Sequence, residues 1–163
     1  MNLDHSFTVS VEWRGNLGTG TSSYKAFSRD HVVRVDGMHG KHEIEGSAAR
    51  AFHGDAERWN PEEQLIAALA QCHMLSYLHV ATQSGVVVES YTDFATGTLH
   101  VQADGSGALV EVALHPVVTI SAGDPATAQS LHAEAHRLCF IANSVNFPVR
   151  HDPQVLVVDD ELS

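Results

Sequence analysis

The stretch Asn60-Pro61-Glu62-Glu63-Gln64-Leu65-Ile66-Ala67-Ala68-Leu69-Ala70-Gln71-Cys72 decides how the rest of the chain is read. Asparagine caps a helix well because its side-chain oxygen accepts a peptide N–H of the first turn. Proline fits the first helical position, where a missing N–H is no loss. Glu63, at the third helical position, completes a capping box by reaching back to the Asn60 N–H. Downstream, Leu65, Leu69, Cys72 and Ser76 recur at helical spacing, flanked by Ile66, Ala68 and Met74. Gly85 is the natural stop. The pattern predicts a helix of about 24 residues, nearly apolar in its middle and running through the core rather than along the surface.

Upstream, the chain reads as strand and turn. Residues 7–13 alternate apolar and polar positions, as a half-buried strand does. A glycine-rich turn follows at 15–20, then strands are expected at 21–27, 31–35 and, more briefly, 42–47. Residues 48–59 have no period and read as loop. Downstream, 86–101 is β-like with an interruption near Gly97, Asp104-Gly105-Ser106-Gly107 is a hairpin turn, and 109–120 returns as a strand. Asp124-Pro125 opens a second helix with Leu131, Ala135, Leu138 and Ala142 on its buried face, fraying at 143–146 before Pro148. A last strand at 155–158 precedes an acidic tail. Strands and helices do not alternate regularly, which excludes a doubly wound parallel sheet and predicts one α+β domain over residues 1–163 with a mostly antiparallel sheet.

The totals narrow the function. A chain of 163 residues with 44% hydrophobic content can bury one core. No run approaches 18 apolar residues, so no membrane span is expected. The N-terminal residues show no basic segment followed by an apolar run, so a secretory signal is not expected and a cytoplasmic location is. The net charge of −11, with no Lys/Arg stripe, argues against a nucleic-acid partner.

Only two cysteines are present, Cys72 and Cys139. That is too few for a disulfide-stapled secreted domain, and no C-x-x-C or H-E-x-x-H suggests a zinc centre. The thiols are then either inert core residues or a redox pair. The redox reading needs a positive charge or donors near a thiol, because the thiolate is the nucleophile. His73 follows Cys72 and His136 lies one turn before Cys139, but neighbours on a helix point about 100° apart and prove no activation. His132, His136 and Cys139 share a helix face with the spacing of a three-ligand metal site. An exposed polar face beside a core-edge thiol is the simpler reading, so neither metal nor cofactor is expected. His73 and His79 are expected to line a pocket or a dimer contact.

The segment from Asn60 to Cys72 closely resembles the motif of the OsmC/Ohr family (osmotically inducible protein C and organic hydroperoxide resistance protein), which reads N-P-E-[EQ]-L and then an alanine-rich run ending in the reactive cysteine. Leu138-Cys139-Phe140-Ile141-Ala142-Asn143-Ser144 resembles the family's second-cysteine segment, with Phe140 where proline is usual. Glu12-Trp13-Arg14-Gly15 followed by Gly18-Thr19-Gly20 is similar to its first hairpin. The resemblance implies an intertwined homodimer, each subunit wrapping a curved antiparallel sheet on a long central helix beside a second helix, with active sites at the interface. It implies a peroxidase for organic hydroperoxides, and less effectively hydrogen peroxide. Cys72 would become a sulfenic acid, Cys139 would close a disulfide with it, and a dithiol such as dihydrolipoamide would restore both.

By the same resemblance Glu62 would hold an arginine that lowers the Cys72 pKa. Arg29, in a Ser-Arg-Asp turn, is the first choice for that arginine and Arg50 the second, ahead of Arg58 and Arg14. Ten residues of straight helix span about 15 Å, so Glu62 and Cys72 cannot touch one point. The helix bends or starts late, the arginine's length bridges the gap, or a second subunit supplies the glutamate. Leu65, Leu69, Met74, Phe140 and Ile141 predict an apolar pocket. Two other readings remain: an OsmC-fold protein that captures a metal or small electrophile without turnover, and a structural stress protein.

Overall fold

The computed structural model describes residues 3–37 and 40–158. Met1, Asn2 and the acidic tail read from the sequence therefore lie, wholly or almost wholly, outside the described residues. The chain divides into two compact units, Met1–Gln64 and Leu65–Ser163.

The first unit holds one antiparallel sheet, ordered β1 (Val9–Trp13), β2 (His31–Val35) and β3 (Ile44–Gly46). Its second strand matches the expected bounds. The strand expected at 21–27 is instead a run of turns, with an isolated bridge between Asn16 and Phe27 and the Phe27 ring edge-on to Trp13 of β1 at 5.9 Å. The reason is local: Gly18 and Gly20 have positive φ, and Asn16 Oδ1 accepts from both their N–H groups, curling the chain into a loop. A short 3-10 turn, Arg50–Phe52, interrupts the expected loop.

The long helix α1 (Pro61–Gln83) begins as the motif requires. The Glu63 N–H donates to Asn60 Oδ1 at 2.8 Å and the Asn60 N–H donates to Glu63 Oε2 at 3.2 Å. It ends before Gly85, whose φ of +70° suits glycine. Because α1 is continuous from Pro61, a helix starting after Glu62 is removed as an explanation of the Glu62–Cys72 spacing. Its length and hydropathy also suit a membrane span, yet Leu69, His73, Tyr77, Val80 and Ala81 form one buried stripe. Leu75, on another face, is 63% exposed, so the helix is buried on one side rather than surrounded.

The second unit contains two more three-stranded sheets and α2 (Pro125–Leu138). One sheet orders β4 (Val87–Asp93), β7 (Pro116–Ala122) and β9 (Gln154–Val157); the other orders β5 (Thr96–Val101), β6 (Gly107–Leu114) and β8 (Val149–His151). The pairs β4–β7 and β5–β6 are antiparallel, whereas β6–β8 and β7–β9 are parallel. The single strand expected at 109–120 is two strands in different sheets, broken at His115, whose N–H donates to Asp93 Oδ1 at 2.8 Å. The interruption expected near Gly97 falls at residues 94–95; Gly97 lies within β5, where a Cβ would stand 2.5 Å from Ile66 Cδ1. Glycine there lets α1 press against the strand.

α2 is capped by Asp124, whose carboxylate accepts from the Thr127 N–H at 2.7 Å. It ends earlier than expected: Cys139 is its C-cap, with extended backbone (φ −69°, ψ 108°), and a 3-10 turn at Ala142–Ser144 follows. The α+β class is as expected from the order of elements.

Candidate functional site

Cys72 and Cys139 meet in the second unit. Cys72 is half-buried on α1, and Cys139 is 1% exposed at the end of α2. Both are free thiols, and Cys72 is close enough to act on the Cys139 thiol. Burial pushes the Cys139 thiol up to about 11; the Ala142 N–H, 3.4 Å from its sulfur, pulls the other way, and the hydrogen bond and charge of Cys72 add to the rise.

Cys72 opens onto a pocket of about 370 Å³ lined by Leu75, Ser76, His79, Leu138 and Phe140. The apolar character read from the sequence holds for Phe140, but Leu65, Leu69, Met74 and Ile141 are not in the lining. Leu69 is fully buried and packs with Val112 and Leu114 in a separate core cluster. His79 lines the pocket as expected; His73 does not.

His73 is the larger departure. It is fully buried, and its Nε2 lies 3.1 Å from Nδ1 of His132, itself 1% exposed. His132 was read as part of an exposed polar face, and that reading is overturned: it stacks on Tyr77 with ring centroids 4.0 Å apart. His151, at the end of β8, lies 5.4 Å from both His73 and His136, ring centre to ring centre. Burial lowers the pKa of His73 to about 4 and of His132 to about 3, with the neighbouring imidazoles adding to each shift. Among the described residues, no group of three or more His, Cys, Asp or Glu side chains is arranged to hold a metal ion. The helical interval from Ala128 through His132 and Ala135 to Cys139 was the available signal that His132 faces inward.

Arg29 and Glu62 line one cavity of about 430 Å³ within the first unit, with Trp13, Phe27, His31 and Phe52 among their neighbours. The Arg29 guanidinium donates to the carbonyls of Phe27 and Tyr24, each at 2.8 Å, and sits over both of those rings. It is held by its own loop, its geometry set by two carbonyls rather than a carboxylate. Glu62 Oε2 is buried without a protein hydrogen-bond partner among the described residues. The other arginines differ. Arg58 faces Asp30, Glu45 and Asp55, Arg14 pairs with Glu12 at 3.3 Å, and Arg50 is exposed in its 3-10 turn.

Comparison with known proteins places these features in a lineage. The family model described as OsmC-like protein matches residues 54–153. No curated protein matches the chain. Among solved structures, an OsmC-like protein of unknown function from Vibrio cholerae is 30% identical, covers 92% of this chain and 99% of its own, and superposes with a TM-score of 0.81. Organic hydroperoxide resistance proteins from Legionella pneumophila and Elizabethkingia anophelis share the fold at 21% identity and a TM-score of 0.67. They cover 94% and 96% of this chain, and 98% and 99% of their own. With the motif at Asn60–Cys72, the α+β architecture and the family match over most of its length, the chain belongs to the OsmC family.

Proposed function

We propose that the protein is a thiol-dependent peroxidase acting on organic hydroperoxides. The observation that carries this reading is the asymmetry of the thiol pair: Cys72 stands at the wall of an apolar pocket, and Cys139 beside it is buried, its pKa raised by burial. The Cys72 thiolate attacks the terminal peroxide oxygen; the O–O bond breaks, an S–O bond forms, and the leaving alkoxide takes a proton to become an alcohol. Cys72 is then a sulfenic acid. Cys139 displaces its hydroxyl, forming the disulfide and releasing water, before a second peroxide can over-oxidise the sulfur. Conversion of a Cys72 thiolate to the neutral sulfenic acid removes one of the influences that raise the Cys139 pKa, so the resolving thiol becomes easier to ionise at the step that needs it. A dithiol of the dihydrolipoamide class returns two electrons and two protons.

The family resemblance assigns Arg29 the role of lowering the Cys72 pKa and Glu62 that of holding the arginine. It also assigns the protein to a homodimer, and the exposed Leu75 and Phe140 beside the pocket are apolar surface that a second subunit would cover. Alkyl and aryl hydroperoxides gain burial energy of about 25 cal/mol per Å² in such a pocket, which hydrogen peroxide cannot. Steady-state assays with dihydrolipoamide are expected to show faster consumption of cumene hydroperoxide than of hydrogen peroxide, lost in Cys72→Ser. Equal second-order rates for the two peroxides would remove the substrate assignment. Full activity in Cys72→Ser would remove the mechanism.

A further inference from the structure

The thiol chemistry makes no use of the buried histidines next to it. They belong to a polar seam between α1 and α2. Tyr77 on α1 donates from its hydroxyl to the Ala128 carbonyl on α2 at 3.1 Å and stacks on His132. One turn of α1 earlier, His73 meets His132. At the next rung, Cys72 meets Cys139. The imidazole contact thus lies between an aromatic anchor and the thiol pair, on the same two helices.

Two neutral imidazoles can share one N–H···N hydrogen bond, because one ring donates and the other accepts. Two imidazolium rings cannot, because both facing nitrogens then carry protons. Whichever tautomer is present, His73 Nδ1 and His132 Nε2 are not in that bond and are buried without a partner among the described residues, as are Nδ1 of His136 and of His151. Among the described residues, no carboxylate hydrogen-bonds either ring. α1 contributes Tyr77, α2 contributes His136, β8 contributes His151, and β4 contributes Tyr91, with Asp93 acting on Tyr91. Burial raises the Asp93 pKa, and its Oδ1 accepts from the His115 N–H. A proton placed on this pair remains an uncompensated buried charge, and separating the helices relieves it.

We propose that His73 and His132 are positioning residues for the resolving step, a proton-sensitive clamp that holds the Cys139 end of α2 against Cys72 when neutral and releases it when protonated. The lowered pKa values of both rings agree with this, since release must then supply protonation sites of ordinary affinity. The inference rests on the peroxidase reading for its biological purpose but not for its test.

The test is the equilibrium between the dithiol and the Cys72–Cys139 disulfide of the whole protein. It is set by a glutathione redox buffer, with a catalytic diselenide to keep exchange fast in acid, and titrated from pH 7 downward. Below pH 7 glutathione stays protonated, so its own equilibrium hardly moves and a change reports the clamp. The wild-type disulfide is expected to weaken by about tenfold or more by about pH 4.5. In His73→Gln/His132→Asn, amide groups keep a hydrogen bond but cannot titrate. That variant is expected to match the wild type at pH 7 and to lose the acid dependence. His132→Leu is expected to weaken the disulfide about tenfold at pH 7 already. A His73→Gln/His132→Asn protein with the wild-type acid profile, or a wild-type disulfide whose strength ignores pH, overturns the clamp. If His132→Leu does not fold, the amide variant decides alone. Failure of hydroperoxide to oxidise Cys72 would instead count against the peroxidase and leave this equilibrium readable.

Discussion

Cys139 interacts with Cys72 from a position that solvent barely reaches, while Cys72 stands at the wall of a pocket. Two thiols in contact therefore differ in accessibility. Alkylation of the reduced protein by iodoacetamide at about pH 8 is expected to modify Cys72 at least roughly tenfold faster than Cys139, because thiolate fraction and access set the rate. Peptide mass spectrometry over time reads this directly. Equal labelling rates would contradict the assigned order of reaction.

The buried imidazoles make stability pH-dependent in one direction. His73 and His132 have folded pKa values of about 4 and about 3, below the unfolded value near 6.5, and burial lowers His151 as well. Their neutral forms are accommodated fully above the unfolded value. As pH falls below it, the unfolded chain takes up protons that the folded chain refuses, and stability drops until the folded rings titrate too. The slope is roughly 1.4 kcal/mol per pH unit for each such histidine. Asp93, whose carboxyl burial raises, opposes the trend over a narrower range nearer its ordinary value. Urea denaturation at about pH 7, 6 and 5 is expected to give a falling unfolding free energy, and a flatter fall in His73→Gln/His132→Asn.

The helix start offers a local test. Asn60 is 8% exposed and makes both reciprocal bonds of the capping box with Glu63. Asn60→Ala is expected to cost about 1 kcal/mol in chemical denaturation. Asn60→Ser or Asn60→Asp should restore most of it, since each keeps an oxygen for the Glu63 N–H. No change in Asn60→Ala would mean that packing alone holds the first turn of α1.

Tyr77 offers a second local test, at the anchor of the helix seam. Tyr77→Phe keeps the ring stacked on His132 and removes the bond to the Ala128 carbonyl. The expected loss is about 1 kcal/mol, because that carbonyl lies within α2 and keeps helical partners. A loss several times larger would show that the hydroxyl fixes the seam as a whole.

What the sequence made legible was local. The Asn60–Glu63 box, the Asp124-Pro125 start of α2 and the glycine stop at Gly85 each involve residues within one turn, so their chemistry is written in adjacent letters. The strand at His31–Val35 was similarly plain. The division of 109–120 was not, because β6 and β7 alternate in the same way on either side of His115 and differ only in which sheet receives them. Thiol proximity was implied by family resemblance, and the chain's own 67-residue separation says nothing of it. The buried histidines were missed because histidine was counted as polar. Ala128, His132 and Ala135 nonetheless follow the helical interval of a core-facing stripe, and His73 and Tyr77 repeat it on α1. The partner that allows burial of each imidazole is 59 residues away and could not be read from spacing.

The most direct test of the central claim is a thiol count and intact mass of the reduced protein before and after one equivalent of cumene hydroperoxide, beside Cys72→Ser and Cys139→Ser. The account predicts loss of both thiols and a fall of about two mass units in the wild type, sulfenic or further oxidised Cys72 in Cys139→Ser, and no fast reaction in Cys72→Ser. Survival of both thiols in the wild type would contradict it.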